Sequence, residues 1–114
     1  MRVLILSEDR REPGKGGGAE SLMRDVTLGL QRRGHEVSWW FGDAPLADVL
    51  GDYKPDIVQC HTVHNRFGMQ PIWYLQRHRI PHILVLMDYW PFCGGRMLLK
   101  NRQRESCAAV DGVC

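Results

Sequence analysis

Four short apolar runs, set apart by polar or amphipathic stretches, constrain the fold of this chain more than any other feature. Residues 2–7 open with Val3-Leu4-Ile5-Leu6 and read as a strand buried on both faces, as a parallel sheet requires. His35 to Phe41 (HEVSWWF) reads as a second strand, Pro55 to Thr62 (PDIVQCHT) encloses a third, and His82 to Met87 (HILVLM) makes a fourth. A helix is expected from about Gly18 to Arg33. Its apolar positions Ala19, Leu22, Met23, Val26 and Leu30 share one face, while Glu20, Arg24, Asp25, Gln31 and Arg32 point away. Glu20 in the first turn and Arg32 and Arg33 in the last complement the helix dipole, and Gly34 supplies a stop. A short helical turn is expected at Pro45 to Leu50. A further helix follows from about Gly68 to His78, ended by Arg79-Ile80-Pro81. Strands and helices in this alternation demand a parallel sheet with right-handed crossovers. The fold class is therefore α/β, a Rossmann-like parallel sheet of about four strands with flanking helices.

Length and composition narrow the function. A chain of 114 residues accommodates one small domain with a core, not two. Hydrophobic residues at 44% and charged residues at 25% are ordinary for a globular protein, which excludes a disordered tail. No apolar run approaches the ~20 residues of a membrane span. The N-terminus lacks the apolar centre and cleavage site of a signal peptide, so a cytoplasmic location is expected. A net charge of +2 gives no reason to expect a nucleic-acid partner. Arg96, Lys100, Arg102 and Arg104 gather late without interleaved aromatics. They read as a solvated basic loop or helix face ahead of a phosphate-tracking patch. After the fourth strand the chain turns polar and does not return to the sheet, which leaves an apolar edge strand at 82–87 uncovered. A truncated domain spanning 1–114 is the expectation.

Ligands of open parallel sheets bind beyond the carboxyl ends of the strands. Three unusual segments fall at that edge: Gly16-Gly17-Gly18-Ala19-Glu20 after the first strand, His61-Thr62-Val63-His64-Asn65 after the third, and Met87-Asp88-Tyr89-Trp90 after the fourth. The glycine run precedes a helix, where free N–H groups and the positive dipole end attract a phosphate or carboxylate. A flexible turn explains the same glycines equally well. Gly14, Gly16 and Ala19 satisfy the spacing of a dinucleotide fingerprint with Asp43 as its acid, but residues 7–13 separate that motif from the strand it should follow directly. His61 and His64 suit a cleft role, holding a hydroxyl or phosphate or exchanging protons near neutral pH. A zinc pair and a plain structural role are the rivals, and no nearby carboxylate completes a zinc site. Thirteen and six residues separate Cys93, Cys107 and Cys114, which matches no compact zinc signature. They read as thiols ahead of a metal knuckle, and Cys60 reads as packing. Trp39, Trp40 and Trp73 read as core or domain-contact residues.

In order along the chain, the opening strand, GGGAE with its helix ending in RRGHEV, then PDIVQCHTVHN, then MDYWPFC resemble the N-terminal domain of retaining GT-B glycosyltransferases of glycosyltransferase family 4 (group 1). The resemblance covers nearly the whole chain. It implies the N-terminal, acceptor-side half of a GT-B fold, with the C-terminal donor-binding domain absent. The implied reaction transfers a sugar from a nucleotide-sugar donor to an acceptor hydroxyl with retention. Gly16, Gly17, Gly18 and Glu20 would approach donor diphosphate or acceptor, and His61, His64 and Asn65 would line the acceptor side. Asp88 and Tyr89 match the tail of the family's His-Asp-Tyr-Trp segment, and Asp88 is the one candidate catalytic group. That segment's histidine is Met87 here, which can neither titrate nor donate a hydrogen bond. The resemblance implies no cofactor and no metal beyond the donor itself. The implied partners are a nucleotide sugar, a sugar or lipid-linked acceptor and the missing domain, with peripheral membrane contact through the late basic residues. The isolated chain is expected to be inactive. A non-catalytic nucleotide- or sugar-binding domain and an NAD-binding fragment stand as alternatives.

Overall fold

The computed structural model describes residues 1–8 and 17–87, together with two short strands at 99–100 and 105–106. Four strands, β1 (Arg2–Leu6), β2 (Glu36–Trp40), β3 (Ile57–Cys60) and β4 (His82–Leu84), alternate with helices α1 (Gly18–Arg32), α2 (Leu46–Tyr53) and α3 (Gln70–Arg77). These four strands pair in parallel throughout, in the order β2-β1-β3-β4, so the chain folds as the α/β Rossmann-like sheet its alternation requires. Leu99–Lys100 (β5) and Glu105–Ser106 (β6) form a separate antiparallel pair, where a loop or helix face was the expectation for the basic stretch.

β1 lies between two neighbours and is the most buried element, with Leu4, Ile5 and Leu6 wholly inaccessible. Side chains alternate across a strand, so β1 feeds two cores. On one face Leu4 and Leu6 join Trp40, Val58 and Cys60, against Leu50 of α2 and Ile72 and Leu75 of α3. Cys60 thus serves as packing and is a free, buried thiol. The opposite face carries Val3 and Ile5, with Gln59 and His61 in the alternate positions of the third strand and the loop after it. Right-handed crossovers leave α1 to cover this side, since the path from β1 to β2 runs opposite to those from β2 to β3 and from β3 to β4.

Several local expectations are corrected by the packing. Met23 and Thr27 are the buried positions of α1, whereas Leu22 stands 44% exposed. The covered stripe is centred on 23 and 27, and Thr27 fits there because its hydroxyl donates to Met23 O at 2.9 Å. The turn at Pro45 is a full helix reaching Tyr53, whose hydroxyl donates to Val3 O and Glu36 O. Lys54, in the left-handed region at φ 49°, closes that helix by donating its N–H to Leu50 O. β4 ends at Leu84 rather than Met87. Its partner β3 turns aside after Cys60, leaving Val85 N→Cys60 O as the last cross-strand bond. Trp40 is core, Trp39 is half-buried, and Trp73 is 60% exposed on α3, outside the core altogether.

These burial differences set measurable stabilities. Leu75→Ala removes a wholly buried side chain facing the sheet and is expected to cost about 2–5 kcal/mol in urea unfolding. Trp73→Ala, a larger truncation three-fifths in solvent, is expected to stay within about 0.5 kcal/mol of the parent.

Candidate functional site

Because the four strands of this sheet run the same way, the residues after β1, β2, β3 and β4 emerge at one edge of it. Residues 7–17 link the end of β1 to α1, which runs back toward the start of β2, so the helix N-terminus at Gly17 and Gly18 also belongs to that edge. Backbone bonds carry the sheet a step beyond its strands: Ser7 N donates to Trp40 O at 3.0 Å, His61 N to Leu6 O at 2.9 Å, and Glu8 N to Thr62 O at 2.8 Å.

Glu8 is the knot of this rim, and its role was not legible beforehand. Its carboxylate accepts from the Arg66 backbone N–H at 2.7 Å and from Asn65 Nδ2. The loop between β3 and α3 is thereby tied to the end of β1. Arg66 extends the tie sideways, donating from its guanidinium to Phe41 O at 3.3 Å just after β2. Asn65, expected to meet ligand, uses its amide to hold the loop. A signal for Glu8 existed only in three dimensions, since it stands 57 positions before Asn65.

His61 lies deeper than a cleft histidine should. It is 1% exposed, and Gln59 Nε2 donates to its Nε2 at 2.7 Å, which places the ring proton on Nδ1. That Nδ1 is buried with no hydrogen-bond partner among the described residues. Burial pushes the His61 pKa down to about 4, so the ring is neutral at pH 7 and does not exchange protons in the neutral range expected of it. His64 is half-buried in the same loop.

At the helix N-terminus, Gly17 caps α1 in an extended conformation that any residue adopts, at φ −83°. What sets it apart is its missing side chain: a Cβ there would lie 3.3 Å from Glu20 Oε2. The Glu20 carboxylate therefore folds over the positive end of its own helix, where it offsets the dipole that a bound anion would otherwise meet. A Cβ at Gly18 would meet nothing within 4 Å, so its backbone faces open space. Gly16, Asp88 and Tyr89, with Gly14, Trp90, Cys93, Cys107, Cys114, Arg96, Arg102 and Arg104, lie outside the described residues.

A small open depression of about 140 Å³ occupies the rim, lined by Phe41, Gly42, Asp43 and Arg66. Trp40 Nε1 donates to Ala44 O at 2.8 Å and closes the turn above it. Gly42 sits at φ +77°, and a Cβ there would fall 2.1 Å from Phe67 Cζ, so only glycine fits. Among the described residues no three His, Cys, Asp or Glu side chains group to hold a metal ion, and no helix is long and apolar enough to cross a membrane.

No protein-family model matches the chain, and no curated protein matches it either.

Two measurements probe the rim. His61 has a lowered pKa, so its neutral form favours folding fully above the unfolded value near 6.5, and stability drains away as pH falls through about 4. The loss reaches about 3 kcal/mol, and His61→Asn is expected to flatten the thermal-melting profile between pH 6.5 and 4. An equally steep profile in the variant would exclude His61 as its source. Glu8→Ala leaves the Arg66 N–H and the Asn65 amide without their acceptor, at a cost of about 1–2 kcal/mol. Hydrogen exchange should quicken at the Arg66 amide while the β3 amides keep their protection.

Proposed function

We propose that the chain is the N-terminal, acceptor-side domain of a retaining GT-B glycosyltransferase resembling family 4, acting in the cytoplasm. The observation that carries this reading is the tie from Glu8 to Asn65 and Arg66. It binds the histidine-bearing loop to the end of β1 on the same edge as the helix start at Gly18. Polar groups from separate strands thereby converge on one rim, which is where an open parallel sheet takes its ligand. A fold of this class serves many functions, so the weight rests on that rim together with the ordered sequence segments.

On this reading the chain supplies one wall of a cleft. Gly17 and Gly18 present backbone to the substrate, His64 stands in the wall, and buried His61 keeps the loop in place as a neutral ring. Asp88 and Tyr89 would complete the wall after β4. The departing diphosphate needs positive charge or N–H donors where its negative charge builds. The described rim offers Arg66 and one helix start already facing Glu20, so most of that stabilisation falls to the partner domain. An NAD-binding fragment fits less well. Residues 7–17 stand between β1 and α1, in place of the tight turn that cradles a pyrophosphate.

Met87, in place of the family's histidine, favours a second reading: a domain that binds a nucleotide sugar or a sugar without turning it over. The two are separated by a radiolabelled-donor assay run beside titrations with UDP and NAD. The chain alone is expected to bind UDP or a nucleotide sugar weakly, to ignore NAD, and to transfer no label. Joined to a donor-binding domain it should transfer label under the first reading and none under the second. Steady turnover by the isolated chain, or tight NAD binding, would overturn the assignment.

A further inference from the structure

We infer that the edge of the sheet where the strands begin, opposite the rim, is a docking surface for an anionic lipid bilayer. This edge is independent of the rim and of the transferase reading. Each helix runs against the strands, so α1, α2 and α3 all end here, just before β2, β3 and β4. Arg32 and Arg33 stand at the end of α1, Lys54 at that of α2, and Arg77 and Arg79 at that of α3. All five are exposed, and none makes a side-chain hydrogen bond or ion pair among the described residues. Three described carboxylates share the edge. Glu36 is paired with Arg2 and Asp56 accepts from the Arg2 backbone N–H, which leaves Asp52 beside the five cations.

A cation in the last turn complements the helix dipole, and that explains Arg32 and Arg77. It does not explain Lys54 and Arg79. Both lie in the left-handed region, at φ 49° and 54°, and among the described residues no others except glycines have a positive φ. α1 and α3 end in the same motif. His35 N→Leu30 O and Gly34 N→Gln31 O close the first, and Ile80 N→Leu75 O and Arg79 N→Gln76 O close the second. At the left-handed position of that motif α1 has glycine, whereas α3 has arginine. A side chain at such a φ opposes the backbone's own preference, so α2 and α3 carry cations where glycine would end the helix with less strain.

The layout of the charges favours a planar partner. Four strand starts at about 4.8 Å spacing span about 15 Å. The cations fall on both sides of that line, since α1 covers one face and α2 and α3 pack on the other. Leu28 and Trp73, 42% and 60% exposed, stand one turn before Arg32 and Arg77. Apolar side chains beside cations suit the boundary between charged headgroups and hydrocarbon, where both kinds add to the attraction. A single strand of nucleic acid calls instead for a groove lined with stacking aromatics, and the described residues of this edge form none. A bilayer docked here leaves the rim, at the far end of the strands, turned toward solution.

The test is sedimentation of the 114-residue chain with vesicles of phosphatidylcholine, alone or with about 30% phosphatidylserine. The chain should pellet with the anionic vesicles only. Salt at about 1 M, where the screening length is about 3 Å, should release it. Lys54→Gly and Arg79→Gly relieve the left-handed strain, so each is expected to keep or raise the melting temperature while binding anionic vesicles about fivefold more weakly. Cations present only to end their helices would leave vesicle binding unmoved. Failure of the parent chain to pellet overturns the inference, as does equal binding by parent and double variant. A chain carrying Arg96→Gln, Lys100→Gln, Arg102→Gln and Arg104→Gln should still bind. If that chain loses the vesicles while the double glycine variant keeps them, the contact belongs to the late basic stretch and this edge is excluded. Capture of duplex DNA with no binding to the vesicles excludes it as well.

Discussion

The structure depends on the burial of one strand. β1 lies between β2 and β3, and its Leu4, Ile5 and Leu6 side chains are wholly shut from solvent, so both cores and both flanking registers refer to it. Backbone groups on both its edges are paired, which is the condition for a strand to sit inside a sheet without stranded polar atoms. The two residues that follow it carry that order outward. Ser7 bonds back to β2, and Glu8 bonds to the loop after β3 through both backbone and side chain. The rim is therefore an extension of the sheet's hydrogen bonding, and the loop conformations there are inherited from the most buried part of the fold.

Much of this was legible in the residues. Continuous apolar runs announced parallel strands, and the period of α1 announced a helix that begins at Gly18 as expected. Legibility failed where tertiary partners decide. Leu22 looks like a core residue by spacing, yet the covered stripe runs through Met23 and Thr27, because a hydroxyl that bonds its own helix carbonyl is tolerated against a sheet. α2 continues past Gly51 because Tyr53 finds acceptors on β1 and β2, which no local signal encodes. At the site, the neighbourhood of the third strand was readable and the duties of its residues were not. His61 faces inward because it shares the phase of Gln59, and Asn65 is spent on a carboxylate 57 positions earlier.

The charge distribution gives the rim its chemical character. Among the described residues, Glu8, Glu20 and Asp43 bring carboxylates to its loops and Arg66 brings a guanidinium. Helix starts in folds of this kind are commonly regarded as phosphate cradles. Here a carboxylate of the helix itself lies over that position, and a buried imidazole held neutral supplies no compensating charge.

Phe67 beneath Gly42 has an evolutionary corollary. A left-handed backbone pressed onto an aromatic ring admits no side chain, so position 42 is closed to change as long as residue 67 remains large. Natural variation around this depression is channelled into Phe41, Asp43 and Arg66. Chains that differ there, while keeping the glycine and the phenylalanine together, would be expected to keep the same hollow and change only what lines it.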